Sequence, residues 1–394
     1  MNIDSPIRSF RLRLAGLVLT ICAFVLGSVP TTKAEYNFTL IADSTGPLRT
    51  IFFDSETLNS TGTVAFQAYL DNGSRGIFAG NGGPLTTITV TSLPFASFSN
   101  PSINTARTVA FEMTPRSGFE PRIYAGNGGP LTTIADTAGQ FRDFTGGDSV
   151  LINTAGTVAF MGYLDSGPGG IFSGNGGATT TILVNSAALG VGSGISMNDA
   201  GTFAFNSGSR RIVTFNGGLV TTIVDNSGPL NFFGSVPSLN SAGTVAFVAG
   251  VGGEDGGTFG IYKGNGGPLT TIADLSGPFS YLGGFNSYQP SINASGMVAF
   301  GAALDAGGGG VFIGDGTTTS EVIQAGDALF GSIVTGAGVS PNSLNDSGQV
   351  AFTYTLANGT RGIAIATPVP EPGSASLLFG GLLAVLGLRR RCVR

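Results

Sequence analysis

The sequence predicts an all-β protein that folds as a seven-bladed β-propeller, in which each blade is a four-stranded antiparallel sheet. An eight-residue phrase, Asn-x-x-Gly-x-x-Ala-Phe, occurs seven times at steps of 45, 49, 45, 42, 53 and 52 residues. Glycine is abundant but periodic, with 65 Gly interleaved with 29 Phe. Propeller blades have this period and strand number. The copies begin at Asn59, Asn104, Asn153, Asn198, Asn240, Asn293 and Asn345.

Each half of the phrase favours one local structure. Asn followed three residues later by Gly predicts a tight turn, because Asn bonds its own backbone and Gly adopts positive φ. The next residues suit a strand with Val64 and Phe66 on one face and Ala65 on the other. Two apolar faces predict a strand packed between neighbouring sheets. Arg107 replaces the Gly in one copy, so either φ is not positive there or that turn differs.

Two further strings follow each phrase and supply the remaining strands. The first is GIFAGN at 76–81, and the second is PLTTI at 84–88; Asn-Gly-Gly between them predicts a hairpin. The predicted mature chain opens with FTLIAD at 38–43, which matches the last strand of a unit, and the final unit stops after 362–367 without one. Phe38–Asp43 is therefore predicted to close the ring as the missing strand of the last blade.

The repeat resembles the TolB-type propeller repeat, in which a Pro-containing strand, a turn and an Ile-Ala-Phe strand follow one another. PSLNSAGTVAF at 237–247 shows the likeness, although Asn-x-x-Gly replaces Pro-Asp-Gly and the chain has no Trp. The seven copies also resemble a bacterial surface-protein repeat family named NxxGxxAF, which carries varied C-terminal anchors. That resemblance implies an exported, anchored protein with no established enzyme activity.

Residues 1–34 are predicted to be a secretory signal peptide with a helical apolar core. Three arginines precede the apolar stretch 14–29, and a small residue, Ala34, precedes Glu35. Cleavage is expected between Ala34 and Glu35. Residues 35–368 are then the propeller.

The C-terminal segment 369–394 resembles a PEP-CTERM sorting signal. It has three parts in order, namely a Pro-Glu-Pro motif, the apolar stretch 374–388 and an arginine cluster, and the motif residues are Val369, Pro370, Glu371, Pro372, Arg389, Arg390 and Arg391. A transmembrane helix here places the arginines in the cytoplasm and the propeller outside. The resemblance implies cleavage by an exosortase-type enzyme and delivery to the cell envelope or extracellular polysaccharide of a Gram-negative bacterium. A plain tail anchor is the alternative.

Composition excludes several kinds of chemistry. The chain has no His, and its two cysteines, Cys22 and Cys392, lie in the terminal segments, so histidine-dependent triads and thiol nucleophiles are excluded from the propeller. Residues 35–368 carry 10 Lys and Arg against 21 Asp and Glu, a net charge of −11. That charge argues against nucleic-acid binding.

Acidic residues recur at the ends of the last strands. Asp43, Asp136, Asp225 and Asp274 occupy this position. An Asx-type turn is the favoured interpretation, with no metal or other cofactor expected; Ca²⁺ ligation is the alternative.

Charged residues that interrupt the repeat are the candidate binding loops, and we interpret them as solvated hairpin tips. They are Glu112, Arg116, Glu120, Arg210, Arg211, Glu254 and Asp255. The sequence as a whole predicts an exported, non-enzymatic binding or scaffold propeller, with extracellular polysaccharide as its candidate ligand. One alternative is a carbohydrate-active glycosidase or lyase that uses these Asp and Glu residues. Another is a purely structural surface protein.

Overall fold

The computed structural model describes residues 35–53, 55–92, 97–114, 120–145, 147–252, 257–282 and 289–370. The chain separates into a unit of residues 1–34 and a unit of residues 35–394. The predicted signal helix, the segment 371–394 with its predicted transmembrane helix, and the side chains of Arg116, Glu254 and Asp255 lie outside the described residues. In the described ranges all regular structure is β-strand, and no helix there is long and apolar enough to cross a membrane.

Seven antiparallel sheets confirm the predicted seven-bladed propeller. In each blade we name the strands inner, second, third and outer. The inner strand is continuous in blade 4 and consists of two pieces in blades 1, 2, 3, 5 and 6; in blade 7 it is one strand, and a further short strand pairs with its other edge. Blade 1 contains β2 (Leu48–Ile51), β3 (Thr57–Leu58), β4 (Val64–Leu70), β5 (Arg75–Gly80) and β6 (Thr86–Thr91). Blade 2 contains β7 (Ser97–Phe98), β8 (Ser102–Ile103), β9 (Val109–Thr114), β10 (Arg122–Gly126) and β11 (Thr132–Asp136). Blade 3 contains β12 (Phe141–Phe144), β13 (Val150–Ile152), β14 (Val158–Leu164), β15 (Gly169–Gly174) and β16 (Thr180–Val184). Blade 4 contains β17 (Val191–Met197), β18 (Phe203–Ser207), β19 (Arg211–Asn216) and β20 (Leu219–Asp225).

The remaining blades follow the same plan. Blade 5 contains β21 (Phe232–Phe233), β22 (Ser238–Leu239), β23 (Val245–Val251), β24 (Thr258–Gly264) and β25 (Thr270–Asp274). Blade 6 contains β26 (Phe279–Leu282), β27 (Ser291–Ile292), β28 (Val298–Leu304), β29 (Gly309–Gly314) and β30 (Thr319–Gln324). Blade 7 contains β31 (Ala328–Leu329), β32 (Ser332–Gly338), β33 (Val350–Leu356), β34 (Arg361–Pro368) and, as its outer strand, β1 (Tyr36–Asp43).

The closing strand is the one that the sequence predicts. β1 pairs with β34 in antiparallel register, with Phe38 opposite Ala366 and Asp43 opposite Gly362. The ring is therefore closed by hydrogen bonds between the two ends of the propeller, and β34 has a partner on both sides. The edge of β34 that faces β1 is not open to pairing with another chain.

The second strand of each blade lies between two apolar layers, as its sequence predicts. Val64 and Phe66 pack against residues of blade 7, among them Ile363. Ala65 faces the other way and packs with Phe111 of blade 2. All three side chains of the Val-Ala-Phe triplet are fully buried. The small Ala leaves room for the aromatic ring of the next blade, which explains the alternation of large and small residues.

The turn that contains Arg107 in place of Gly shows that both expectations were wrong: φ is positive there, and the turn is the same as in the other copies. Its φ is +62°, in the left-handed region, and its N–H donates to Asn104 O at 3.0 Å. The equivalent Gly62 has φ +76° and donates to Asn59 O at 3.2 Å. The turn is therefore unchanged, because the bonds of Asn104 and the strands on either side hold Arg107 in a conformation that costs a non-glycine residue about 1–2 kcal/mol.

Replacing Arg107 by Gly is expected to raise the free energy of unfolding by about 0.5–1 kcal/mol. The substitution removes the left-handed strain, and the greater freedom of Gly in the unfolded chain offsets part of the gain. The measurement is denaturant unfolding followed by circular dichroism. Gly243→Ala, the reverse change at an equivalent turn with φ +82°, is the control and should lower the stability. Equal shifts in both variants would contradict the explanation.

Candidate functional site

The seven Asn turns meet at one end of the propeller, which we call the Asn end. Each Asn side chain accepts hydrogen bonds within its own turn, as predicted: Asn59 Oδ1 accepts from the N–H groups of Thr61 at 3.0 Å and Thr63 at 2.8 Å. The hairpins between third and outer strands lie at the same end, because successive strands are antiparallel. The opposite end carries the connections between second and third strands and those between blades.

The Asn side chains also bond from blade to blade, which the sequence analysis did not predict. Six of the seven Nδ2 groups donate to the backbone carbonyl of the next copy's Asn, and the last donor, on blade 7, returns to blade 1. The contacts are Asn59 to Asn104 at 2.8 Å, Asn104 to Asn153 at 3.2 Å, Asn198 to Asn240 at 3.1 Å, Asn240 to Asn293 at 2.9 Å, Asn293 to Asn345 at 3.3 Å and Asn345 to Asn59 at 3.2 Å. We call this set the Asn ring.

One signal in the sequence could have revealed the Asn ring. Asp or Ser also forms such turns, yet all seven copies have Asn, while the Gly of the turn is replaced at Arg107. A carboxylate can only accept, and a hydroxyl must accept and donate through one oxygen, whereas an amide accepts bonds inside the turn through its oxygen and donates one to a neighbour from its nitrogen. The Asn positions therefore have a structural role in joining the blades.

A shallow cavity of about 230 Å³ opens at the centre of the Asn end and is lined by all seven blades. Its polar rim includes Asp199 and Asp346. Each of these carboxylates accepts a backbone N–H of the preceding blade, from Thr154 at 2.9 Å and from Ala294 at 2.7 Å. The two acids are thus used in joining blades.

The four Asp residues at the ends of outer strands form Asx turns, as the favoured interpretation predicts. Oδ1 of each accepts the N–H group two residues on; for Asp225 this donor is Ser227 N at 3.0 Å. The hydroxyl and the backbone N–H of Ser227 both donate to the Asp225 carboxyl and hold its pKa below the usual range. Within the described ranges, no group of three or more acidic, His or Cys side chains could hold a metal ion. In the other three Asx turns, the backbone N–H groups that donate to Oδ1 are those of Thr45 for Asp43, Ala138 for Asp136 and Ser276 for Asp274.

The candidate charged residues that the structure describes do not gather into one site. Glu120 and Arg122 form an ion pair at 3.1 Å in which the side chain of Glu120 is 67% exposed and that of Arg122 is 43% exposed. On blade 4, Arg210 is exposed and Arg211 donates to Ala188 O at 2.5 Å. In the described part of the chain, no hydrogen bond or ion pair joins the charged residues of blade 2 to the arginines of blade 4.

Glu112 corrects the interpretation of these charges as solvated hairpin tips. It lies within β9, is 6% exposed, and its Oε1 accepts the Thr114 hydroxyl at 2.8 Å, while Oε2 has no hydrogen-bond partner. Burial raises the pKa of the Glu112 carboxyl, and the negative charge of Asp143 raises it further. At the equivalent position of blade 1, the amide of Gln67 donates to Ser99 O of the next blade at 2.7 Å. A carboxylate has no such donor unless it is protonated.

Replacing Glu112 by Gln is expected to stabilise the protein at neutral pH by about 1 kcal/mol. The folded-state pKa of Glu112 is raised, so its favourable contribution is complete below the unfolded pKa and is lost as the pH rises through the folded pKa. The Gln amide stays neutral at every pH. Thermal unfolding at pH 4 and pH 7.5 should show a difference between wild type and Glu112→Gln only at the higher pH. Glu120→Gln is the exposed control, and a difference of the same size at both pH values would refute the assignment.

Exposed aromatic rings lie toward the opposite end, on several blades. Their exposed fractions range from 36% to 45%, and they are Phe53, Tyr69, Tyr163, Tyr281 and Phe330. Three carry a guanidinium over the ring: Arg361 lies 5.4 Å from the Phe53 centroid, Arg142 lies 5.4 Å from that of Tyr163, and Arg75 lies 5.8 Å from that of Tyr69. Rings placed in this way offer flat apolar faces beside charged hydrogen-bond donors.

Phe330 has the most unusual backbone of these residues. It is in the turn between β31 and β32 with φ +47°, although a bulky residue seldom adopts that conformation. Its ring is 41% exposed and contacts Tyr354, with 5.6 Å between the centroids. Backbone strain of this kind is concentrated at functional sites. The candidate site is therefore the aromatic end, defined by Phe53, Tyr69, Tyr163, Tyr281 and Phe330.

Part of the chain matches a known sequence family. Residues 192–340 match a sequence family described as a family of unknown function (DUF7453). No curated protein matches the chain.

Solved structures with the same fold have different activities. A puromycin-hydrolysing peptidase from Mycobacterium tuberculosis is similar with a TM-score of 0.54 and 12% identity, over 82% of this chain and 53% of that chain. This protein thus spans about half the length of that peptidase. An oligogalacturonate lyase from Vibrio parahaemolyticus has a TM-score of 0.50 and 14% identity over 86% and 99% of the two chains. YCF48 bound to a D1 peptide has a TM-score of 0.47 and 12% identity over 87% and 100%. At these identities the likeness to the peptidase and to the lyase shows the propeller fold alone.

Proposed function

We propose that the protein is an exported, non-enzymatic binding or scaffold propeller of the NxxGxxAF type, sorted by a PEP-CTERM signal and held in the cell envelope or extracellular matrix. The sorting proposal is supported by the Pro-Glu-Pro motif, apolar stretch and arginine cluster of residues 370–391. Its direct partner is then an exosortase-type enzyme, with transient attachment to the inner membrane through the apolar stretch.

The aromatic end is the observation that best supports binding. Sugar rings have apolar C–H faces that pack on aromatic rings, while their hydroxyls bond to polar groups nearby. Exposed rings on four blades, anchored to strands or a short hairpin, form a rigid surface that needs little ordering on binding. The proposed ligand is extracellular polysaccharide.

Binding of the purified chain to the extracellular polysaccharide of the producing cells tests this function. The double variant Phe330→Ala with Tyr281→Ala is expected to weaken saturable binding by about thirtyfold, since each of the two buried aromatic contacts contributes about 1 kcal/mol. Leu219→Ala is the control, because Leu219 is 70% exposed but begins an outer strand at the Asn end. Absence of saturable binding in wild type, or equal loss in both variants, would reject the aromatic end as the site.

A carbohydrate-active enzyme is the second candidate, and Glu112 is the observation that favours it. A carboxyl whose pKa is raised by burial is suited to act as a general acid near neutral pH. Shortening of the polysaccharide during the binding assay, and its loss in Glu112→Gln, would establish that function. Binding without shortening would favour the non-enzymatic proposal.

A further inference from the structure

A second cavity lies at the Asn end, between blades 1 and 2, on the side of the molecule away from the aromatic end. Its volume is about 240 Å³, far more than one water molecule requires. The polar residues that line it include Thr63, Asn81, Thr86, Arg107 and Asn127. We call this cavity the Arg107 niche.

Comparison with blade 4 shows how such a niche can be closed. There, Asn216 Nδ2 donates to the Thr202 hydroxyl at 2.9 Å. Asn81 and Thr63 occupy the equivalent positions of blade 1, by their register in the repeat. The Thr63 side chain is 2% exposed and its hydroxyl has no hydrogen-bond partner. The Arg107 niche therefore contains a buried polar group without a partner, which costs free energy unless a ligand or water satisfies it.

Comparison with the junction of blades 5 and 6 shows what can fill the niche. Lys263 Nζ donates there to Gly296 O at 2.7 Å and to Asp315 O at 2.9 Å. At the junction of blades 1 and 2, the residues equivalent to Lys263, Gly296 and Asp315 are Ala79, Arg107 and Asn127, in that order. Because Ala79 is too short to reach, the space that the lysine takes between blades 5 and 6 is left open between blades 1 and 2.

Arg107 determines which ligand charge the niche accepts. It is exposed, it forms no ion pair with the described residues, and it is the one residue other than Gly at its position in the repeat. Its positive charge disfavours a second cation, whereas its planar guanidinium matches a carboxylate in bidentate geometry. The amides of Asn81 and Asn127 and the hydroxyls of Thr63 and Thr86 are suited to bond a ligand's hydroxyl groups.

We propose that the Arg107 niche binds a small carboxylate that carries neighbouring hydroxyl groups, the chemistry of a uronic acid. The carboxylate pairs with Arg107 at the rim, and the hydroxyls face the Asn and Thr side chains of the interior. The volume admits one such unit, since it is below that of pockets for drug-sized ligands. The left-handed strain at Arg107 is then the cost of placing a guanidinium at this junction.

Calorimetric titration of the purified chain with glucuronate tests the proposal, with glucose and inorganic sulfate as the other ligands. Saturable binding is expected for glucuronate, and binding at least tenfold weaker for glucose and for sulfate. Arg107→Gly should weaken glucuronate binding by roughly tenfold or more. Loss of folding would not explain that result, because the same variant is expected to be more stable than wild type.

Filling the niche provides a second variant with a matched control. Ala79→Lys places an ammonium where Lys263 lies in blade 5 and should abolish binding, while Ala125→Lys makes the same change between blades 2 and 3 and should leave it intact. Phe330→Ala should not change glucuronate binding, so the proposal for the Arg107 niche and the proposal for the aromatic end can be tested independently. Failure of glucuronate to saturate, equal binding of sulfate, or undiminished binding by Ala79→Lys would each overturn the proposal.

Discussion

Replacing Asn240 by Ala is expected to lower the free energy of unfolding by about 3 kcal/mol, a large effect for a turn residue. Asn240 is 5% exposed; its Oδ1 accepts from Ala242 N at 3.0 Å and Thr244 N at 2.9 Å, and its Nδ2 donates to Asn293 O at 2.9 Å. The substitution leaves these buried groups without partners, and each such group costs about 1–3 kcal/mol. It also removes one bond of the Asn ring.

Denaturant unfolding followed by circular dichroism measures this loss. Asn240→Asp separates the two roles, because the carboxylate keeps the acceptor and loses the donor, so an intermediate stability is expected. Asn358→Ala is the control, since Asn358 forms an exposed turn in which its Oδ1 accepts Thr360 N at 3.0 Å. A loss in Asn240→Ala no greater than that in Asn358→Ala would show that the Asn ring contributes nothing beyond a turn.

The blade number and the ring closure could be predicted from the sequence because both depend on local patterns that repeat. A strand between two apolar layers must have large and small apolar residues in alternation, and Val64, Ala65 and Phe66 show this within one copy. The closing strand was identified because FTLIAD repeats a string found at the end of other units. Neither inference requires knowledge of which residues meet across blades.

The contacts between blades could not be predicted, because they join residues one repeat apart whose distance depends on the completed ring. The bond from Asn59 to Asn104 is an example. Glu112 was misjudged for a related reason. A charged residue that interrupts the repeat predicts a solvated loop, whereas β9 continues to Thr114 and carries the Glu112 carboxyl into the space between blades.

The candidate sites were missed for a different physical reason. Exposed aromatic rings such as Tyr281 look in the sequence like any core aromatic residue of a β-protein, since the chain has 29 Phe. The Arg107 niche depends on a short side chain, Ala79, at a position where Lys263 stands four blades later. A short side chain such as Ala79 forms no recognisable motif in the sequence, so the cavity becomes visible only when blades 1 and 2 are packed together.

A chain that begins at Ser44, without β1, is expected to lose the stable monomeric fold. β1 supplies the buried Ile41 and Ala42, and the Phe38 ring packs edge-on against Phe352 with 5.9 Å between the centroids. Burial of a large apolar side chain such as Ile41 contributes about 1.5–3 kcal/mol, so the loss of β1, with its backbone pairing, removes a large part of the stability of a typical protein, which is about 5–15 kcal/mol. The outer edge of β34 would then be open to pairing with other molecules.

A chain that begins at Glu35 is the matched control, because it retains the whole of β1. Size-exclusion chromatography and thermal unfolding should show a folded monomer for this chain, and aggregation or early unfolding for the chain that begins at Ser44. A synthetic peptide of residues 35–43 should restore the monomer by adding the missing strand to β34, since it supplies both the backbone pairing in the native register and the buried side chains of β1. If the shorter chain unfolds at the same temperature as the control without the peptide, closure by β1 does not stabilise the ring, and the contacts between adjacent blades alone hold it together.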